Sequence, residues 1–186
     1  FATGFPMGVD SSDSYYSFLT FMDAYNVKLV DDNGKLLVDD PKVKEGLVKA
    51  LKDYTDVYDH FGLLGDRSLF AHGIHLSERE CERLSESGST VVHCPTSNTF
   101  LGSGLMSMPW LRKKERPVHL AVATDVGGGT NYSMLATLGE AYKVQMLAGY
   151  KPSAHELFTM ATRGNAGRLK IEHETGALEH GKFADI

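Results

Sequence analysis

Ala71-His72-Gly73-Ile74-His75-Leu76 at one end and Thr124-Asp125-Val126-Gly127-Gly128-Gly129 at the other bound the stretch that decides how this chain folds. Within it, three short apolar runs each stop at a polar residue. Leu69-Phe70-Ala71 stops at His72, Val91-Val92 at His93, and Leu120-Ala121-Val122-Ala123 at Thr124-Asp125. Strands that are apolar throughout are strands covered on both faces, as in a parallel sheet flanked by helices. Polar groups at the C-terminal ends of such strands are how an α/β barrel assembles a site.

Working outward, strands are expected over 68–71, 90–93 and 118–123, with helices between and after them. Ser77 and Glu80 have the spacing of a capping box for a helix that stops at Gly88. Pro95 to Gly104 reads as a polar loop, followed by a short helix around 109–114. A helix is expected over 133–147. Ser153 and Glu156 suggest a second capping box, for a helix reaching Thr162. This gives three β/α units and a trailing helical layer, where a closed barrel has eight units.

The first 55 residues have a different texture. Phe1 to Asp13 reads as loop, and the aromatics of 14–25 as the packed face of a helix. Asn33-Gly34 between two apolar segments signals a hairpin over 27–38. Asp40-Pro41 opens a helix with Val43, Leu47, Ala50, Leu51 and Tyr54 on one face.

Composition narrows the function. The chain has 186 residues and a net charge of −5, with 19 basic against 24 acidic side chains. That balance does not point to nucleic acid. The run Arg112-Lys113-Lys114-Glu115-Arg116 reads as a solvated helix end rather than a phosphate-binding patch. No apolar run approaches the ~18 residues of a membrane span, and no secretory leader is visible. Two cysteines, Cys81 and Cys94, fit reduced thiols in a cytoplasmic protein. The chain begins with Phe1 and ends at Ile186, and both ends read as cut.

Chemistry can be assigned to few residues. Asp125 could bind a divalent cation or take a proton from water, or it could simply form the turn before the glycines. His72 could serve the same site or a structural role. His75 belongs to the following loop and is expected to be exposed. His93 and Cys94 are adjacent on a strand, so they should point to opposite faces and not share an ion. Ser97 and Asn98 are expected to shape their loop through its backbone. His119 lies at the wrong end of its strand. Gly127 to Gly129 lack a phosphate-loop context and are expected to let backbone approach a ligand.

Residues from about 54 to 186 resemble the amidohydrolase superfamily and, within it, the guanine deaminases. The resemblance rests on Tyr54-Thr55-Asp56-Val57-Tyr58-Asp59, Ala71-His72-Gly73, and His93-Cys94-Pro95-Thr96-Ser97-Asn98 with Leu101-Gly102-Ser103-Gly104. It continues through Thr124-Asp125, Gly127 to Thr130, Ser133-Met134-Leu135, Glu140-Ala141 and Ala161-Thr162 to the closing Gly181-Lys182-Phe183-Ala184-Asp185. It implies the C-terminal portion, about strands 6 to 8, of a (β/α)8 barrel. It also implies one zinc, a small-molecule purine substrate and hydrolysis of guanine to xanthine and ammonia. A homodimer is one assembly it allows.

By the same resemblance Asp125 is the zinc ligand and proton relay, and His72 lies beside the substrate. The family's His-x-His pair, its strand-5 histidine and its catalytic glutamate find no match here. One carboxylate does not hold a catalytic zinc, which takes about three protein ligands. The expectation is that this chain alone neither holds zinc nor deaminates guanine.

Residues 25–55 resemble the solute-binding proteins of sugar ABC transporters, through the hairpin of 27–36 and the helix opening Asp40-Pro41-Lys42-Val43. That implies a chimera, with an α+β segment of different origin over 1–55 joined to a partial amidohydrolase barrel over 56–186. Two alternatives to the deaminase follow, a carbohydrate-binding fragment and another aminohydrolase acting on triazines or modified nucleosides.

Overall fold

The structure, a computed structural model, describes residue 33, residues 41–43 and residues 54–183. The expected aromatic helix, the hairpin strands and the apolar face of the next helix lie outside the described residues. Asn33 occupies a turn, and residues 41–43 are helical, where Pro41 was expected to open a helix.

The chain divides into two compact units, one reaching Leu63 and the other running from Leu64. The first contains helix α1 (Tyr54–His60). The second carries the sheet. In order it contains β1 (Leu69–Ala71), α2 (Glu78–Ser87), β2 (Thr90–His93), α3 (Pro95–Phe100), α4 (Met108–Leu111) and β3 (His119–Val122). Then come α5 (Met134–Leu147), α6 (Ala154–Thr159), a π-helical turn (Met160–Gly164) and α7 (Asn165–Leu169).

The three strands form a parallel sheet in sequence order, consistent with apolar runs joined by helices. Ala71 pairs with Val92 and Val92 with Ala121, so the three strands end nearly level. Leu84 of α2, Val91 of β2 and Val122 of β3 are almost fully buried in one core with Met106, Met108 and Leu111. Burying a leucine such as Leu84 stabilises the unit by about 2 kcal/mol.

Helix boundaries follow from capping chemistry. At α2 the Ser77 hydroxyl accepts the Glu80 N–H at 3.3 Å, and the Glu80 carboxylate accepts the Ser77 N–H at 2.8 Å. Gly88 ends that helix at φ 71, a conformation glycine adopts without strain. At α6 only half of the expected box forms. Ser153 accepts from the Glu156 N–H, but the Glu156 carboxylate turns to the Tyr150 hydroxyl (2.9 Å) and to Arg112. Nor does this helix simply end near Thr162. It stops at Thr159 and continues through the π turn into α7.

The wider turn brings Asn165 to the open edge of β3. Its Oδ1 accepts the Val122 N–H at 3.0 Å, and its Nδ2 donates to the Val122 carbonyl at 2.8 Å.

Two further expectations are corrected. Residues 95–100 form α3 instead of loop, because Pro95 at the first helical position needs no donor and the Thr99 hydroxyl folds back onto the Pro95 carbonyl. The basic run at 112–116 is only in part a solvated helix end, with Arg112, Lys114 and Glu115 exposed after α4. Arg116 is buried, donates twice to Glu78, and stacks with Lys113 on the Trp110 ring. Those two cations hold the Glu78 carboxyl down near 2. Among the described residues no helix is long and apolar enough to cross a membrane.

Candidate active site

The level strand ends place three side chains within reach of one another. His72 follows β1 directly, and its N–H still donates to the Val92 carbonyl at 2.9 Å, one step beyond the named strand. The chain then turns sharply, with His72 at φ 75 and Gly73 at φ 58. A Cβ on Gly73 would sit 2.4 Å from a Val91 methyl, so only glycine lets the turn lie against the sheet.

On β3 the exit is held differently. The Thr96 hydroxyl of α3 donates to the Thr124 carbonyl at 3.1 Å. Asp125 follows at φ 50, and Gly129 folds back so closely that a Cβ would lie 2.0 Å from the Thr124 oxygen. Gly129 thus approaches the chain's own backbone. A Cβ on Gly128 would meet Ser97 Oγ at 3.0 Å and Asp125 Oδ2 at 3.2 Å.

His72 Nε2 stands 3.9 Å from Asp125 Oδ2. On the other side of the ring, His72 Nδ1 is 2.7 Å from Asn98 Oδ1. An amide oxygen can only accept, so that bond puts a proton on Nδ1, while Nε2 faces Asp125. Asn98 therefore does not act through its loop backbone, as expected. It orients the histidine.

The thiol of Cys94 completes the group. Ligand atoms of His72, Cys94 and Asp125 all lie within 4.8 Å of one another. Cys94 is buried, and its thiol is pushed up to about 12, first by desolvation and then by the negative charge of Asp125. His93 points the other way, as the alternation of a strand demands. Its ring is fully buried, Nε2 is 3.4 Å from Gln145 Nε2, and burial lowers its pKa to about 4. The expectation that His93 and Cys94 would not share an ion agrees with this geometry. Cys94 and His72 come from neighbouring strand ends and lie beside Asp125.

His75 is exposed with Nε2 3.0 Å from the Ser103 carbonyl, and His119 is exposed at the start of β3, away from this cluster.

The trio fits a divalent cation of borderline softness. It offers imidazole nitrogen, thiol sulfur and carboxylate oxygen, the three donor types zinc accepts. The imidazole tautomer is fixed by a further hydrogen bond, as metal-binding histidines require. Two buried polar atoms beside it, Ser97 Oγ and Asn98 Nδ2, have no protein partner. Side chains of His72 and Asp125 are 45% and 34% exposed, so the cluster opens to solvent. Sequence reading did not place Cys94, Ser97 and Asn98 beside His72 and Asp125. The signal for Asn98 was its place one turn beyond Cys94, where a short helix returns it to the strand ends.

The profile of the Amidohydrolase family matches residues 40–186. The chain belongs to the amidohydrolase family. Guanine deaminase of Escherichia coli is 47% identical over 135 residues, covering 72% of this chain and 30% of that protein. A probable guanine deaminase of Deinococcus radiodurans is 40% identical over 147 residues, covering 77% and 33%. The solved structure of the Escherichia coli enzyme superposes with a TM-score of 0.67 at 44% identity, over 76% of this chain and 32% of that one. This amidohydrolase chain thus spans about a third of the length of these relatives. The family match begins at residue 40, inside the segment read as solute-binding protein. The comparisons support the amidohydrolase part of the reading and give no support to a transporter chimera.

Proposed function

We propose that this chain supplies the C-terminal part of the active site of a cytoplasmic guanine deaminase, which converts guanine and water to xanthine and ammonia. The observation that carries the reading is the meeting of His72 and Asp125 at adjoining strand ends, 3.9 Å apart, in a chain whose relatives bear that name. Asp125 is the metal ligand and the base that takes the proton of the attacking water and returns it toward the departing amine. His72, with Nδ1 held by Asn98, presents Nε2 as the acceptor that orients that water. Zinc at such a site acidifies water toward a pKa of about 7. Ser97 and Asn98 leave polar atoms free to meet the polar edge of a purine.

The same reading holds that the chain is inactive by itself, because the His-x-His pair, the strand-5 histidine and the glutamate of the family are not among its residues. Two assays test it. The 186-residue protein supplied with zinc should release no ammonia from guanine, and stoichiometric turnover would refute its dependence on further residues. Residues 54–183 should then replace the matching segment of the Escherichia coli enzyme. A folded hybrid that deaminates guanine, and loses at least a hundredfold in kcat/KM on Asp125→Asn, is the expected result. A folded hybrid acting on a triazine or an adenine nucleoside but not on guanine would overturn the substrate.

A further inference from the structure

We infer that a cleft at the N-terminal end of β3, opposite the strand ends that carry His72 and Asp125, is a second binding site. Its ligand is an oxyanion, carboxylate or phosphate, carried on an apolar body. The inference is independent of the deaminase reading. The cleft measures about 510 Å³ between the start of β3, α6, the π turn and α7, within the roughly 300–1,000 Å³ of small-molecule sites. Buried Val118, Leu120 and Met160 give it an apolar floor. Its wall includes both ends of the π turn, Met160 and Gly164, and such turns are frequent at functional sites.

The charge of the cleft is unbalanced. Arg112, His119, His155 and Arg168 line it against one carboxylate, Glu156. Both Glu156 oxygens are taken, since Oε1 accepts from Arg112 and Oε2 from the Tyr150 hydroxyl at 2.9 Å. The Arg168 side chain has no hydrogen-bond or ion-pair partner among the described residues, and its Nε is buried. Lys170, two residues on, is by contrast held by Asp66 at 3.3 Å. An unpaired guanidinium with one nitrogen cut off from water gains more from an anion than an exposed one does. Its planar fork also matches two oxygens of a carboxylate or phosphate. Burial, and then the positive charge of Arg168 and Lys170, hold the His119 imidazole below its ordinary pKa. An anion on Arg168 offsets that charge and makes His119 easier to protonate.

Titration of the whole chain with phenyl phosphate and with benzoate tests this, in buffer free of other oxyanions and with benzyl alcohol as the neutral control. At least one anion should bind saturably, and the tighter of the two identifies the head group. Binding should shift the ring signals of His119 and His155 in NMR spectra and raise the His119 pKa, while the His72 ring stays still. Arg168→Gln should weaken binding by roughly tenfold or more. Lys143→Gln, which removes an equal charge from α5, should leave it unchanged. No saturable binding of either anion, equal binding of benzyl alcohol, movement of His72 in place of His119, or undiminished binding by Arg168→Gln would each overturn the inference. Should Arg168→Gln fail to fold, the histidine signals of the parent chain decide, since an anion on Arg168 cannot leave His119 unmoved. Guanine turnover by the hybrid enzyme bears on the deaminase reading alone, and anion binding at this cleft on this inference alone.

Discussion

His72 and Asp125 face each other across 3.9 Å from two backbone positions that both lie in the left-handed region, at φ 75 and φ 50. Among the described residues the only other non-glycine with positive φ is Lys170, which ends α7. Each such residue costs of order 1 kcal/mol, and the cost is tolerated where function fixes the side chain. Asp125→Gly should therefore stabilise the metal-free protein by about 0.5–1 kcal/mol in urea denaturation. The same variant should lose cation binding.

Asn98 acts on the site through His72. Asn98→Ala removes the acceptor at 2.7 Å from Nδ1 and frees the imidazole to rotate or change tautomer. Guanine turnover by the hybrid enzyme, as kcat/KM, should fall about 10–100-fold. Thermal stability should change little, because the substitution also deletes the buried Nδ2 that has no partner. A large loss of stability with unchanged turnover would show a purely structural residue.

Gly129 and Gly102 should respond differently to alanine. At Gly129 the added carbon meets the Thr124 oxygen at 2.0 Å and Thr96 Oγ1 at 2.7 Å, both around the exit of β3. Gly129→Ala should lower stability by about 2–4 kcal/mol and displace Asp125. At Gly102 the backbone has φ 70 but the space is open, so Gly102→Ala should lose only about 1 kcal/mol. Chemical denaturation of both variants measures the contrast.

Acid should weaken the fold in two windows. His93 is buried neutral, with its pKa lowered from 6.5 to about 4. Between those values the unfolded chain binds a proton that the folded chain refuses, so stability falls as pH drops from about 6.5 to 4, by roughly 3 kcal/mol in full. Glu78, lowered from 4.5 to about 2 by Arg116 and Lys113, adds a loss at still lower pH, as its carboxylate is protonated. Urea midpoints in chelator across pH 7 to 4 should therefore slope for the parent chain. They should flatten over 6.5 to 4 in His93→Gln.

The sheet was readable because its signal is local. Apolar runs of three or four residues between a capping box and a glycine leave little choice, and 90–93 was placed to the residue. Helix α3 was not readable, since Thr-Ser-Asn-Thr after Cys94-Pro95 reads as turn chemistry. What makes it a helix is tertiary, through the Thr96 bond to Thr124 and packing against α5. The half-formed cap at Ser153 misled for a related reason. The Glu156 side chain had a distant choice, Arg112, that spacing along the chain cannot display. At the site, strand alternation separated His93 from Cys94 correctly. The convergence of Cys94 with His72 and Asp125 depends on the pairing of three strands, and sequence spacing does not encode it.

The amide of Asn165 has a bearing on assembly. By accepting from and donating to Val122 at once, it imitates a neighbouring strand at the outer border of β3. Bare strand borders recruit other chains and seed aggregates. Here the last residue of the border is already occupied by a side chain from the same molecule. The amide thus closes this side of the strand at Val122, three residues before Asp125.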